Sequence, residues 1–125
     1  MTHKSGILWL SALFLMATVP GKGHLKFDDS FKDTGTVKKG SLQTYAFAFT
    51  NTGEKKIRIT SVIAYSECLS VQPIKDSIIE PDAGGDIVIV FDTNKHQIGD
   101  FAFAITVNSN ADNKEVKLKM FGKLD

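Results

Sequence analysis

The chain has 125 residues, 42% of them hydrophobic, and its 15 Lys and Arg residues against 14 Asp and Glu give a net charge of +1. This length suits a single domain, and the balanced charge excludes the basic surface that a nucleic-acid partner requires. The single cysteine, Cys68, excludes an internal disulfide, so the domain must fold through packing alone.

The N-terminal segment has the order of a secretory signal peptide. His3 and Lys4 form a short basic start, Ile7–Val19 is an apolar run of 13 residues without a charge, and a Pro-Gly-Lys-Gly stretch follows. A membrane-spanning helix needs about 20 apolar residues, so this run is short for a span. The pattern therefore predicts a signal-peptide helix.

Two glycines fit the cleavage position of this signal peptide. Cleavage after Gly21 and cleavage after Gly23 are the two candidates, and Gly21 and Gly23 fit the −3 and −1 positions that a signal peptidase reads. We predict a signal peptide over residues 1–23 and one domain over residues 24–125, without a stable membrane anchor after cleavage. That domain has 13 basic and 14 acidic residues, a net charge of −1. The predicted location is secreted or periplasmic.

After residue 24, apolar and polar residues alternate with a period of two, which is typical of β-strands. The parity changes near Thr60-Ser61, which predicts a β-bulge at that point. The alternation predicts seven or eight strands, at residues 25–28, 35–38, 43–51, 56–64, 68–74, 85–92, 100–109 and 115–121.

Each predicted strand has one apolar face, and two packed antiparallel sheets bury such faces against each other. We therefore predict an all-β antiparallel β-sandwich. Phe47 and Phe49 on one strand and Phe101 and Phe103 on another are expected in its core, because the two strands carry matching aromatic stripes.

The glycine and asparagine residues of the predicted turns have expected roles in the turn backbone. Gly53 and Gly99 are predicted to take a positive φ, as hairpin turns often require. Asn51 and Asn110 are expected to bond the backbone of their own turns. This chemistry predicts architectural roles for all four residues.

The residues that could carry chemistry show no spacing typical of an active site. Cys68 with His24 or His96 is the nearest pair of a nucleophile and a base, without a third orienting residue. The same three residues and Met120 are ligand types that copper accepts, again without ligand spacing. We therefore predict that the protein is not an enzyme and has no catalytic, cofactor-binding or metal-binding residues and no cofactor.

Two alternatives remain open on the sequence. One is a periplasmic metal-binding or redox accessory protein that uses Cys68. The other is a glycan-binding sandwich, which would present exposed aromatic residues, Trp above all. The only tryptophan, Trp9, lies in the predicted signal peptide, and the Phe residues of the domain follow core parity.

Short motifs recur along the domain in a fixed order and spacing. They are Phe31 with Gly35-Thr36-Val37, Phe49 with Asn51-Thr52-Gly53, Ile59 with Val62, Ile79 with Pro81 and Gly85, Phe91-Asp92-Thr93, Gly99 with Phe101, and Ile105-Thr106-Val107 with Ser109-Asn110. Together they resemble the bacterial domain-of-unknown-function family number 1573, which is related to Hydin-type immunoglobulin-like domains. The resemblance covers residues 31–122 and implies an immunoglobulin-like fold. The two cysteines of that family fall on Ser66 and Cys68, so half of the pair is missing and no redox or metal role is carried over.

These observations favour an exported, non-enzymatic immunoglobulin-like β-sandwich that acts as a protein-binding or structural module. Its expected partner is another protein. One predicted binding surface is an exposed edge strand that adds to a partner's sheet. Another is the set of loops at one end, including residues 64–70 and 93–99, because loops tolerate the variation that binding needs.

Overall fold

The computed structural model describes residues 21–125, and the apolar run of the predicted signal peptide lies outside them. The described residues form nine strands and one turn of 3-10 helix, Thr93–Lys95. The strands are β1 Leu25–Phe27, β2 Phe31–Val37, β3 Leu42–Asn51, β4 Ile57–Ala64, β5 Leu69–Val71, β6 Ile78–Ile79, β7 Gly84–Asp92, β8 Gly99–Ser109 and β9 Glu115–Leu124.

The strands form two sheets. The four-stranded sheet has the order β1-β3-β7-β5, and the five-stranded sheet has the order β2-β9-β8-β4-β6. Alternate side chains of each sheet point into the space between them, because the side-chain period of a strand is two. This arrangement confirms the predicted all-β sandwich.

The predicted aromatic core is confirmed. Phe47, Phe49, Phe101 and Phe103 are between 1% and 7% exposed. Phe91 of β7, the strand next to β3, packs against one of the two stripes, since its ring lies edge-on to Phe101 and Phe103 with centroids 5.0 and 5.1 Å apart. Burying aromatic side chains of this size is the main source of cohesion in a domain without disulfides.

Three strands differ from the sequence prediction, and one of them, β9, continues to Leu124 rather than ending at residue 121. β2 begins at Phe31 and pairs in parallel with β9, with Phe31 opposite Lys119, whereas we predicted antiparallel pairing from residue 35. The chain passes from β1 to β2 through only Asp28–Ser30, and such a short switch between sheets keeps the chain direction.

β5 ends at Val71 rather than at residue 74, and Pro73, which lacks an N–H, follows it closely. An additional strand, β6, brings the number to nine.

The predicted β-bulge lies where the parity changes. Ile59 is opposite Ser109, but Ser61 is opposite Asn108, so the register shifts by one between Ile59 and Ser61. The Thr60 hydroxyl donates to the Asn108 carbonyl oxygen at 3.2 Å. The shift turns the side chains of Ser61 and the alternate residues beyond it to the outer face of the sheet.

The turn residues follow the predictions in part. Gly99 has a φ of +131°, as predicted, but Gly53 has no positive φ. A Cβ at Gly53 would overlap the Lys22 carbonyl oxygen, so the residue is needed for a close backbone approach. The Asn51 Oδ1 accepts from the Gly53 N–H at 2.9 Å, as predicted. Asn110 Oδ1 instead accepts from the Arg58 N–H of β4 at 2.7 Å.

Candidate protein-binding edge of the five-stranded sheet

Of the residues that could carry chemistry, His24 lies at one end of the sandwich, whereas Cys68 and His96 lie at the other, where the Cys68 thiol bonds the carbonyl oxygen of Lys95, the residue before His96. His24 precedes β1, beside the Asn51 end of β3, and its Nδ1 lies 2.7 Å from Asp112 Oδ1. The Cys68 carbonyl oxygen accepts from the Asp92 N–H at the other end of β3. Because β3 has ten residues, this separation is about 30 Å. The fold therefore does not bring His24 and Cys68 together.

The remaining members of the predicted metal set serve packing. Cys68 is 7% exposed, and its thiol donates to the Lys95 carbonyl oxygen at 3.3 Å. The His96 ring lies edge-on to Phe91, Phe101 and Phe103. Met120 is fully buried. Across residues 21–125, no group of three or more His, Cys, Asp or Glu side chains is placed to hold a metal ion.

Ser66 occupies the position of the missing cysteine of the motif. Its hydroxyl accepts from the Cys68 N–H at 3.1 Å, and its carbonyl oxygen accepts from the Leu69 N–H at 3.2 Å. Both bonds hold the turn between β4 and β5. The pair of residues therefore shapes a turn in this chain.

Two of the motif residues, Asn51 and Thr93, each bond several backbone groups through a buried side chain. The fully buried Asn51 donates to the Lys55 and Ile79 carbonyl oxygens and accepts from the His24 and Gly53 N–H groups. All four bonding positions of the amide are used, as a buried side chain requires. The buried Thr93 hydroxyl likewise accepts from two N–H groups and donates to the Ser41 carbonyl oxygen.

The pKa shifts in the domain also have structural causes. Burial raises the pKa of Tyr45, and a hydrogen bond with Thr34 partly opposes this effect. The hydrogen bond from His24 lowers the pKa of the exposed Asp112 carboxyl. Neither group lies in a cluster of acids and bases of the kind that supports catalysis.

The edge strands of the sandwich differ in how they are protected. At β1, the Asn113 side chain accepts from the Leu25 N–H at 3.0 Å and donates to the Leu25 carbonyl oxygen at 2.7 Å. At β2, Asp29 and Asp33 side chains accept from the N–H groups of Phe31 and Gly35. A register shift between residues 33 and 36 further bends β2. Bulges and charges of this kind are known devices against strand addition.

The first half of β3 extends beyond β1, so one of its sides has no neighbouring strand. The Asp28 N–H donates to the Ala48 carbonyl oxygen on that side. Because backbone groups alternate along a strand, those of Thr44 and Ala46 face the same side. The Lys32 ammonium lies 5.3 Å from the centroid of the Phe47 ring, at this side of the sandwich. An inward-pointing charge of this kind disfavours an added strand.

The second half of β4 is an edge without such protection, because β6 pairs only with Ile57 and Arg58. The Tyr65 N–H donates to the Ala104 carbonyl oxygen, and the register then gives Ile63 and Ser61 the ladder bonds to β8. The N–H and carbonyl groups of Val62 and Ala64 therefore point away from β8. Among the described residues, these groups have no hydrogen-bond partner. We name residues 60–65 the open edge.

The side chains of the open edge are uncharged, and several are apolar. Ile63 is 42% exposed and Tyr65 is 59% exposed on the outer face of the sheet. Val62 and Ala64 are partly buried and pack against the core from the inner face. A strand with free backbone groups, apolar side chains and no charge is a template for pairing with another chain.

A groove lies beside the open edge. It has a volume of about 360 Å³ and is lined by Ile59–Val62, Val71–Ile74 and Ser77. The segment from β5 to β6 forms its far wall. None of its lining residues is charged, so the groove suits an apolar side chain.

The outer face of the five-stranded sheet corrects one sequence expectation. Phe31 is 59% exposed and Phe121 is 38% exposed, so these two Phe residues do not follow core parity. Phe31 is opposite Lys119, and Phe121 is opposite Ala102 and Asp33 in the register. Phe121 follows Met120, a core residue, and therefore points to the other side of the strand.

The binding surfaces predicted from the sequence are partly brought together. The loops at 64–70 and 93–99 are adjacent, since Cys68 bonds both Asp92 and Lys95. The sequence did not identify β4 as the open edge, because the order of strands in a sheet is a long-range property. A usable signal was present, since the stretch Thr60–Tyr65 contains no charge, Pro or Gly.

Solved structures with similar folds have low sequence identity to this chain. A protein of unknown function from Porphyromonas gingivalis W83 matches with a TM-score of 0.72 and 19% identity, over 82% of this chain and 47% of that one. The chain thus spans about half the length of that protein. The PapD-like domain 7 of human CEP192 matches with a TM-score of 0.66 and 13% identity, over 86% of this chain and 89% of that one.

A chaperone shares the fold as well. The E. coli chaperone DraB matches with a TM-score of 0.57 and 11% identity, over 80% of this chain and 54% of that one. Together these likenesses show an immunoglobulin-like, PapD-like sandwich. Within residues 21–125, no helix has the length and apolar character needed to cross a membrane.

Comparison with curated proteins finds no match. The family model described as "Protein of unknown function (DUF1573)" matches residues 25–124. This match covers nearly all of the predicted domain, and the relation to Hydin-type domains stays a prediction. The chain therefore belongs to the DUF1573 family, as its motifs predicted.

Proposed function

We propose that the protein is an exported, non-enzymatic immunoglobulin-like module that binds another protein by strand addition at the open edge. The observation that supports this most is the unpaired backbone of Val62 and Ala64 in an uncharged strand segment. An added strand would form hydrogen bonds with both residues and extend the five-stranded sheet. Main-chain hydrogen bonds supply affinity in this mode of recognition, while side-chain pockets supply specificity. One structural neighbour is a chaperone, a class of protein that acts by binding other proteins.

Proline substitution tests the mode of binding. Ala64→Pro removes an N–H that makes no bond to β8, so the ladder between β4 and β8 stays intact. Ala64→Val keeps the N–H and is the matched control. Ala46→Pro removes a backbone N–H in the same way on the side of β3 that has no neighbouring strand. The tagged domain and its three variants are used to capture proteins from the periplasm and the culture medium of the native organism, followed by mass spectrometry.

We expect the unmodified domain, Ala64→Val and Ala46→Pro to retain the same protein, and Ala64→Pro to lose it. Circular dichroism of each variant establishes that the sandwich is folded. Capture that survives Ala64→Pro, or capture that Ala46→Pro abolishes instead, would contradict the proposed site.

We propose further that the protein is secreted or periplasmic and that processing occurs after Gly21. The predicted alternatives were Gly21 and Gly23. The Lys22 carbonyl oxygen accepts from the Glu54 N–H, and the Gly23 carbonyl oxygen accepts from the Asp112 N–H. Cleavage after Gly23 would remove both bonds, at a cost of about 1 kcal/mol each. This supports a mature chain that begins at Lys22.

Mass measurement of the intact protein from the periplasm or the medium tests this assignment. The expected chain starts at Lys22. A chain that starts at His24 would contradict the assignment to Gly21 but not export, and an unprocessed chain in the cytoplasm would contradict export.

Glycan binding is a second candidate, because Phe31, Tyr65 and Phe121 are partly exposed on one outer face. A glycan array probed with the mature domain tests it. Specific binding that is lost in a Phe31→Ala, Phe121→Ala double variant but kept in Ala64→Pro would favour this candidate over strand addition. The buried Cys68, with its thiol bonded to a carbonyl group, gives no comparable support to the redox alternative.

A further inference from the structure

We infer that the groove beside the open edge is a specificity pocket, and that the partner is an extended segment of another protein with an aliphatic or aromatic residue at the position that enters it. This inference rests on the proposed function and adds the chemistry of the partner. It follows from the position of the groove, from the residues that line it, and from the way in which two copies of β4 would pair about a two-fold axis.

The position of the groove determines which partner side chains reach it. Side chains of a strand alternate between the two faces of a sheet. On β4 and just beyond it, Ile63 and Tyr65 point outward, whereas Val62 and Ala64 point inward. A strand added beside β4 would direct every second side chain inward in the same way. Those side chains would lie over the space between β4 and the segment that follows β5, which is the groove.

The lining of the groove selects apolar side chains. Val62, Val71 and Ile74 supply aliphatic surface, and the other lining residues are uncharged. An inward charge on the partner would lose its hydration without gaining a counter-charge, which is unfavourable. An inward aliphatic or aromatic residue would be removed from water instead. The outward-pointing side chains of the partner segment would lie beside Ile63 and Tyr65 at the surface, where polar residues are tolerated.

The same geometry argues against a second copy of this chain as the occupant. Two β4 edges related by a two-fold axis would pair antiparallel, and a pairing centred on Ile63 places Val62 of one copy opposite Ala64 of the other. The inward side chains supplied by the second copy would then be Val62 and Ala64. Both already pack against their own core, so they cannot enter the groove of a neighbour. A foreign segment has no such constraint and can fill the groove.

Selection of short random peptides displayed on phage tests the inference and does not require an identified partner. The baits are the mature domain, Ala64→Pro and Val71→Thr. Val71→Thr keeps the shape of the side chain and places a hydroxyl in the groove wall. We expect the mature domain to enrich uncharged extended sequences with apolar residues at every second position. In titrations with one selected peptide, replacing its inward residue by Gly should weaken binding by about tenfold or more.

The outcomes separate the two proposals. Loss of enrichment on Ala64→Pro, with weaker binding of the same peptides to Val71→Thr, supports both. Enrichment that Ala64→Pro abolishes, but without apolar alternation and unchanged by Val71→Thr, would overturn the pocket and keep strand addition. Enrichment that Ala64→Pro leaves unchanged, or no enrichment, would overturn both. A concentration-dependent dimer that Ala64→Pro abolishes would overturn the choice of a foreign occupant.

Discussion

The two long sides of the sandwich are built from the same kinds of strand, but they differ in whether side chains protect the exposed backbone groups of the edge strands. On the closed side, formed by β1, β2 and the first half of β3, side-chain amides and carboxylates occupy edge N–H groups, and Lys32 places a charge beside the core. On the open side, the Val62 and Ala64 backbone groups have no partner among the described residues, and the groove beside Val62 has no charged residue in its lining. Proteins protect free sheet edges by such devices, because free edges promote aggregation. Of these edges, the open edge of β4 combines free backbone groups with the absence of a protecting charge.

The largest expected effect concerns the direction of the β4 backbone groups. Ile63→Pro removes an N–H that bonds β8, and it should lower the free energy of unfolding by about 3 kcal/mol or more. Ala64→Pro should cost roughly 1 kcal/mol, since its N–H makes no such bond. Urea denaturation measures both, with Ile63→Ala as the control for the lost side chain. Equal losses for the two prolines would mean that the edge of β4 is paired.

The second effect concerns the edge of β1. Asn113→Ala removes the donor and the acceptor that the side chain offers to Leu25. We expect a loss of about 1–2 kcal/mol in the free energy of unfolding. Asn113→Asp keeps only the acceptor and should fall between the wild type and the alanine variant. If both variants are as stable as the wild type, the amide does not protect this edge.

The third effect concerns the edge of β2. Asp33→Ala frees the exposed Gly35 N–H at the register shift of β2, where Gly35 has a φ of +69°. A loss of about 0.5–1 kcal/mol is expected, because the lost bond is exposed to water. Asp33→Asn keeps an acceptor and should be close to the wild type. Light scattering of the two variants at equal concentration should show association only for Asp33→Ala.

The smallest effect concerns pH and the tie between His24 and Asp112. The pKa of Asp112 is lower in the folded chain than in the unfolded chain, so its contribution is present above the unfolded pKa and is lost as the pH falls through the folded value. The wild type should therefore be more stable than Asp112→Asn near pH 6, and the difference should disappear as the pH falls through the folded pKa of Asp112. Urea midpoints at a series of pH values measure it. A difference that is independent of pH would exclude the carboxylate charge as its cause.

Local sequence patterns were sufficient to predict most of the fold. Alternation predicted the core residues Phe47 and Phe103, and the change of parity near Thr60-Ser61 predicted the bulge, because side-chain period and burial are coupled directly. The parallel pairing of β2 was not predictable in this way. Its partner, β9, is distant in the chain, with Phe31 opposite Lys119, and no local pattern encodes which strand will be the neighbour.

The candidate site shows the same limit. The sequence predicted an exposed edge strand as one binding surface, and the composition of Thr60–Tyr65 already lacked charge. Whether a strand lies at an edge depends on the order of strands in the sheet. The Gly53 prediction failed for a related reason, since the constraint on that residue comes from the backbone of Lys22, far away in the chain.

Amide hydrogen exchange of β4, followed by NMR, tests the central claim most directly. In the free domain, Val62 and Ala64 should exchange rapidly, while Ile63 and Tyr65 between and beyond them should be protected by their bonds to β8. Addition of a peptide selected on the mature domain should slow exchange at Val62 and Ala64. Protection of these two amides in the free domain, or rapid exchange that persists in the bound domain, would contradict strand addition at this edge.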